Sequence, residues 1–407
     1  MSHKIQPMLS HSNTFLTILH TITTLSHACS YHITIISGEI SGDQYAADLI
    51  QQIHSQYPNC RFSGISGTQA QTQGLHIWPN CQPKKIMGFM QALQYSQHYR
   101  CLLASIKKQL SLSRPHLLIL IDYGGLNLRV AKISHQLNIP VLYYIPPKVW
   151  AWGTRRLRKV QQYVTRVAPI YPFEHDFFNA KNVPSTLAQH PFLAKIPNHK
   201  ANANLQTIAL LPGSRHQEIA TLLPLMLKAS YQLLQQAPQC QFQIFCAEPS
   251  HLAIIERYLM PWKHRLPIQV IMYQHIQKLR ACGSALVCSG TATFECAMLK
   301  VPMVVIYRCH WLNYLLIKCL IRIPWISLPN LILQSCAVPE LLQSRCRANL
   351  MTYHLRQLIH NSPARTKQVN ALEKLHAHMT SQKPVQSIAQ IILKMLSQPL
   401  TRYKKMS

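Results

Sequence analysis

Carboxylates are what this 407-residue chain lacks most: 12 Asp and Glu stand against 41 Lys and Arg, a formal net charge of +29. Charged residues make up 13% of the chain, about half the usual ~25%, while the bases alone occur at an ordinary frequency. The positive charge is therefore a deficit of acids. No run exceeds two adjacent bases, so the basic stripe of a nucleic-acid-binding protein is missing. The summed field still favours phosphorylated ligands and acidic lipid headgroups. Thirteen cysteines form no C-x-x-C and no Cys/His zinc spacing, which argues against a disulfide framework or a structural zinc and points to a reducing cytoplasm. The four aspartates, Asp43, Asp48, Asp122 and Asp176, make no D-x-D pair, so a metal-bridged diphosphate site is not expected. Apolar stretches such as Trp311 to Trp325, broken by Lys318 and Arg322, fall short of the ~20 residues of a bilayer span. Residues 1–30 contain no acid, and their weak apolar run Phe15–Leu19 is interrupted by polar residues. They are expected to be a poorly ordered extension rather than a signal peptide.

The 48% hydrophobic content is ample for two cores, and its pattern is that of an α/β protein with parallel sheets: short aliphatic runs alternate with helix-period segments. Strands are predicted at Tyr31–Ile36, Leu117–Ile121, Val141–Tyr144 and Arg166–Ile170, then at Ile208–Leu211, Gln243–Cys246, Ile268–Met272, Ala285–Cys288 and Met303–Ile306. The Pro-rich stretch Pro184–Leu205 separates the two sets and reads as a connection. The expected organisation is an extension at 1–30, a domain at 31–200, a second at 201–345, and helices with a basic tail at 346–407.

Glycine is scarce too: 12 residues where about 28 would be average. The clusters follow predicted strands, at Ser37–Asp43, Gly64–Gly67, Asp122–Gly125, Gly213–Arg215 and Ser289–Thr291. In open α/β sheets, ligands bind beyond the carboxyl ends of the strands, where these turns would lie. The first cluster is not G-x-G-x-x-G, so a dinucleotide fingerprint is absent.

Three turns have chemical potential. Ser289-Gly290-Thr291-Ala292-Thr293 opens a helix, and its N–H groups and hydroxyls could cradle a diphosphate, with Glu295 one turn on to accept from ribose hydroxyls. An ordinary N-cap explains the same residues. Leu210-Leu211-Pro212-Gly213-Ser214-Arg215 is a second anion-suited turn, where Arg215 could neutralise a departing phosphate. Asp122, ending the most apolar strand, could act as a general base toward a hydroxyl or merely cap the next helix. The apolar, base-flanked segments from Met87 to Lys108 and Trp311 to Trp325 are either core helices or surfaces for acyl chains.

Taken in order, Ser37–Asp43, Asp122 with Asn127, Val149–Trp152, Pro172–Glu174, Leu210–Arg215, Ser289–Thr293 with Glu295, Pro302–Arg308 and Ser327–Asn330 resemble the lipid-A-disaccharide synthases over about residues 31–345. The resemblance implies an inverting glycosyltransferase of the GT-B fold, with two Rossmann-like domains facing across a cleft. It implies transfer of 2,3-diacylglucosamine from its UDP derivative to 2,3-diacylglucosamine 1-phosphate, with no cofactor or metal. By position, Asp122 matches the family's base and Arg215 its essential arginine. Ser214, Ser289, Gly290, Thr291, Thr293 and Glu295 would then hold UDP, and Ser37, Glu39, Ser41, Asp43 and Asn127 would serve the acceptor side. A homodimer and an anionic, inner-membrane surface are the implied partners, and nucleic acid is not.

The sequence departs from the family pattern at Tyr123-Gly124-Gly125, Ser66–Ala70, Pro146-Pro147-Lys148 and Gln189–Phe192. These changes gather in the first half, so a shifted acceptor preference is expected. Two other readings remain at this stage. One is another UDP-sugar enzyme of the same architecture, such as an epimerase. The other is a non-catalytic protein that binds anionic surfaces.

Overall fold

Leu117–Ile121 are five consecutive aliphatic residues, all buried, as only a strand covered on both faces allows. In the computed structural model it lies inside the first of two parallel sheets. The structure describes residues 30–38, 40–79, 81, 96–152, 154–196, 203–272, 276–309, 324–381 and 386–397. The 1–30 extension up to residue 29, Glu39, positions 87–95 of the Met87–Lys108 segment and most of the Trp311–Trp325 segment lie outside those residues; the remainder of Met87–Lys108 lies in a helix that buries Leu102 and Ile106.

The first unit comprises Met1–Ile170, Glu174–Gln189 and Val385–Ser407. Its strands are β1 (His32–Ser37), β2 (Arg61–Ile65), β3 (Leu75–Ile77), β4 (Leu117–Ile121), β5 (Val141–Tyr144) and β6 (Arg166–Ala168), and its helices begin with α1 (Ile40–His54), α2 (Thr68–Thr72), α3 (Ser96–Ser113), α4 (Gly124–Gln136), α5 (Val149–Trp152), α6 (Thr154–Tyr163) and α7 (Pro172–Ala180). The sheet order is β3-β2-β1-β4-β5-β6, every pair parallel. That is the doubly wound order with its switch point between β1 and β4. Register places Ser37 opposite Ile121, so the turns after these strands share one edge.

The second unit comprises Tyr171–Phe173 and His190–Pro384. Its strands are β7 (Asn204–Leu211), β8 (Gln241–Cys246), β9 (Ile268–Met272), β10 (Cys282–Cys288), β11 (Met303–Tyr307) and β12 (Glu340–Leu342), in the order β12-β11-β10-β7-β8-β9. Counted within the unit this is the same winding. Its helices are α8 (His216–Gln236), α9 (Leu252–Leu259), α10 (Ile276–Arg280), α11 (Thr291–Met298), α12 (Leu328–Leu333), α13 (Ala348–Leu358) and α14 (Pro363–Ser381). The region expected as C-terminal helices at 346–407 divides: α13 and α14 belong to the second unit, and α15 (Ile388–Leu396) packs on α1 of the first. A Ser387/Gln390 capping box starts α15, whose Ile388, Ile391, Ile392 and Met395 are buried in the spacing of an amphipathic helix.

All nine predicted strands are present. Three more, β2, β3 and β12, escape the sequence pattern because two have only three residues and Arg61–Ile65 contains Ser63 and Gly64. Gly64, at φ 145°, packs on the β1 backbone: a Cβ there would meet Ile35 O at 2.0 Å.

Candidate functional site

The carboxyl edge of the first sheet is built around a strained elbow. Asp122 and Tyr123, between β4 and α4, both sit at positive φ, 48° and 47°. Two consecutive non-glycine residues in that region cost about 1–3 kcal/mol each and persist only where neighbours over-determine them. The neighbours are Asn127, whose Nδ2 donates to Ile121 O (3.1 Å) and Asp122 O (2.8 Å), and Tyr143, whose hydroxyl donates to Asp122 O at 2.8 Å. Asn127 and Tyr143 are fully buried. Asn127, expected on the acceptor side, thus holds the backbone that carries Asp122, and the Asp122 side chain stays partly exposed at the edge.

Gly38 lies against the Tyr123 ring, where a Cβ would come within 2.3 Å of its Cγ. Ser37 Oγ meets Ser66 Oγ at 2.7 Å, and Ser41 lies partly exposed in the first turn of α1. Asp43 is buried, and its carboxylate accepts from Ser66 Oγ (2.9 Å), Gly67 N (2.9 Å), Gln69 N (3.0 Å) and Ala70 N (3.0 Å). Three of these are N–H groups at the start of α2, which has no cap of its own. Asp43 satisfies them from outside the helix. Gly67 is required because a Cβ would lie 2.4 Å from Asp43 Oδ2. The glycine clusters at 37–43 and 64–67 are therefore two halves of one hydrogen-bonded clamp.

Two further residues complete this edge. Glu174, in the first turn of α7, is 3% exposed and accepts the Trp150 indole N–H at 3.1 Å. Burial pushes its carboxyl up to about 7, with Trp150 and Lys148 opposing and Asp122 adding to the rise. Gly124 leaves room for Pro147, whose Cβ would lie 2.9 Å from a Cβ at 124.

The carboxyl edge of the second sheet carries the other set. Gly213 turns the chain at φ 118°, and a Cβ there would meet Glu218 Oε2 at 2.5 Å. Glu218 accepts from Ser214 N (3.1 Å) and pairs with Arg215 at 3.2 Å, the Arg215 side chain being 48% exposed. An exposed pair is worth little stability, but it aims the guanidinium. Ser289 Oγ donates to Ile326 O at 3.1 Å. Gly290 and Thr291 are exposed at the start of α11, and space around a Gly290 Cβ is open. Thr293 is fully buried, its hydroxyl donating to Gly290 O at 2.7 Å, so it shapes the turn from within.

Although Glu295 is partly exposed, its Oε2 is shut from solvent and has no hydrogen-bond partner among the described residues. Burial raises its carboxyl to about 7, Lys195 opposing. Preceding it, Phe294 stacks on His190 at 4.1 Å. His190 accepts Phe192 N–H at Nδ1, which puts the neutral ring's proton on Nε2, and burial lowers its basicity to about 3. Ser327 and Asn330 are tied to Glu340, which accepts from Ile326 N (3.0 Å), Ser327 N (2.9 Å), Ser327 Oγ (2.6 Å) and Asn330 Nδ2 (2.9 Å). Glu174, Glu218 and Glu340 are the supporting residues that sequence reasoning left out of the site. Their signal was the scarcity of acids, each sitting at a strand end or in the helix turn that follows.

Among known proteins, the sequence profile of the lipid-A-disaccharide synthetase family matches residues 33–394. Lipid-A-disaccharide synthase 1 of Legionella pneumophila subsp. pneumophila is 31% identical over 373 residues, covering 89% of this chain and 96% of its own. Lipid-A-disaccharide synthase of Nitrosococcus oceani is 35% identical over 324 residues, 76% of this chain and 82% of its own. Among solved structures, Phytolacca americana UGT2 complexed with UDP-2-fluoro-glucose and pterostilbene superposes with a TM-score of 0.59 at 10% identity, covering 92% of this chain and 100% of that one. At that identity the likeness is one of fold, the two-domain α/β fold of GT-B glycosyltransferases.

Proposed function

Because the chain belongs to the lipid-A-disaccharide synthetase family, we propose the mechanism below for the reaction that membership assigns. The protein is a glycosyltransferase of lipid A biosynthesis. It transfers 2,3-diacylglucosamine from its UDP derivative to 2,3-diacylglucosamine 1-phosphate, releasing UDP.

Asp122 is the general base. The acceptor 6-hydroxyl gives its proton to the carboxylate as its oxygen bonds to the anomeric carbon from the face opposite UDP, inverting the centre. The anomeric carbon–phosphate bond breaks, and its electron pair leaves with UDP. Charge develops on that phosphate, and Arg215, aimed by Glu218, neutralises it together with the exposed N–H groups at the start of α11. Ser214, Ser289, Gly290 and Thr291 line this anion side, with Thr293 shaping the turn, and the partly exposed Glu295 accepts from a ribose hydroxyl. On the acceptor side Ser41 is partly exposed, whereas Ser37 is buried and bonded to Ser66 Oγ, a supporting position. These side chains and helix ends supply the electrostatics without a resident cofactor or metal. The observation that carries the reading is the elbow at Asp122: an acid held in a strained backbone at the end of a fully buried strand by two buried side chains.

Among the described residues no helix is long and apolar enough to cross a membrane. Both substrates carry acyl chains, and α6 exposes Arg156, Arg158 and Lys159 while burying Leu157 and Val160. That face supports docking on an anionic membrane surface.

UDP release in detergent micelles from the two substrates tests the mechanism. Wild type turns over, and Asp122→Asn falls by about 10²–10⁴-fold, the range for loss of a general base. Undiminished turnover in Asp122→Asn refutes the base assignment.

A further inference from the structure

Three neighbouring strands of the first unit, β4, β5 and β6, lead into the turns and short helices that carry Asp122, Trp150 and Glu174. An acid in the first turn of a surface helix ordinarily faces water, where the helix N-terminus favours its charge. Glu174 instead is buried at 3% exposure, with its Oε1 fixed by the Trp150 indole at 3.1 Å. The groups whose charge reaches it are Lys148, exposed in the loop after β5, and Asp122, in the turn after β4. Retaining an inward acid beside a second acid is costly for stability alone, and a hydrophobic residue would fill the same space.

We infer that Glu174 is a positioning residue for Asp122, a second carboxyl held by Trp150 whose negative charge strengthens Asp122 as a base. The inference rests on the reading of Asp122 as the base. Two carboxylates that repel each other bind a proton more tightly than either alone. As the acceptor hydroxyl passes its proton to Asp122, that carboxyl becomes neutral and its repulsion with Glu174 disappears. The relief grows along the reaction coordinate, so it stabilises the transition state over the ground state. Burial raises Glu174 to about 7. Its charge is thus present above neutrality and lost below, and with it the enhancement of Asp122.

The test is the pH profile of kcat and of kcat/KM from pH 5.5 to 9 in wild type, Glu174→Gln and Trp150→Phe, with Asp122→Asn alongside. Glu174→Gln keeps a carbonyl oxygen for the indole and removes the charge. Its kcat at pH 8 is expected to fall about tenfold, with acceptor KM unchanged, and the acid limb near pH 7 is expected to vanish. Trp150→Phe removes the donor that favours the charged form, so its acid limb moves to higher pH. A residue that only supports the fold would lower the melting temperature and scale the whole profile without moving the limb. A wild-type limb and kcat in Glu174→Gln overturn the inference even where Asp122→Asn is inactive, whereas an active Asp122→Asn removes the base assignment on which it rests. Should Glu174→Gln not fold, an unmoved limb in Trp150→Phe overturns it equally.

Discussion

Replacing Asp43 separates a clamp from a substrate contact. The carboxylate accepts four hydrogen bonds, from Ser66 Oγ, Gly67 N, Gln69 N and Ala70 N. Hydrogen bonds to a charged group contribute about 1.5–3 kcal/mol each when the freed partner stays dry. Gly67 and Gln69 are exposed and Ser66 is partly so, and water can replace much of what they lose. The Ala70 N–H is buried and cannot be rescued. Asp43→Ala is therefore expected to destabilise the protein by about 2–4 kcal/mol, most of it from Ala70 and the lost start of α2. For a domain of this size that is a fall of about 5–12 °C in Tm. Asp43→Asn retains an oxygen that can face Ser66, Gly67 and Ala70 but turns an amide toward Gln69 N, and should lose roughly half as much. The assay is urea denaturation followed by circular dichroism, with turnover measured on the fraction that remains folded. Acceptor KM should hardly change in Asp43→Asn. An Asp43→Ala protein within about 0.5 kcal/mol of wild type, with a raised acceptor KM, would refute the clamp and return Asp43 to the acceptor site.

Two further outcomes follow from charge. Glu295 has its carboxyl raised from the ordinary 4.5 to about 7, so the folded state binds its proton more tightly than the unfolded chain. Its contribution to stability is full below 4.5 and is lost as pH rises to about 7. Glu295→Gln should therefore be more stable than wild type in chemical denaturation at pH 8 and no more stable at pH 4.5, while binding UDP more weakly by calorimetry; a stability difference that does not change with pH would contradict this. On the membrane side, each base near an anionic surface contributes about 1 kcal/mol, so charge reversal of Arg156, Arg158 and Lys159 should lower partition onto anionic vesicles by about 100-fold or more. Partition should also fall with salt in wild type, and unchanged vesicle binding in the reversed protein would exclude α6 as the docking face.

How much was legible in the sequence differs between the elements and the site. Strands such as Leu117–Ile121 and Val141–Tyr144 were readable to the residue, because a buried parallel strand writes itself as an unbroken apolar run. The short edge strands β3 and β12 were not, since three residues carry no periodicity. Glycine clusters marked the loops correctly, but the partners of those loops came from distant positions. Gly67 needs Asp43, 24 residues away, and Gly213 is filled by Glu218. The Ser327–Asn330 motif is held by Glu340, in a strand that the pattern did not reveal. The order and identity of the motifs by themselves determined the family and its two doubly wound units, because spacing along the chain and residue type are local properties. Only the tertiary structure decided that Asp43 and Asn127 support neighbouring backbone, that Thr293 is internal, and that Glu174 stands buried beside the Asp122 turn. Burial and hydrogen-bond partnership depend on which strand ends the sheet order brings side by side, and no sequence window contains that.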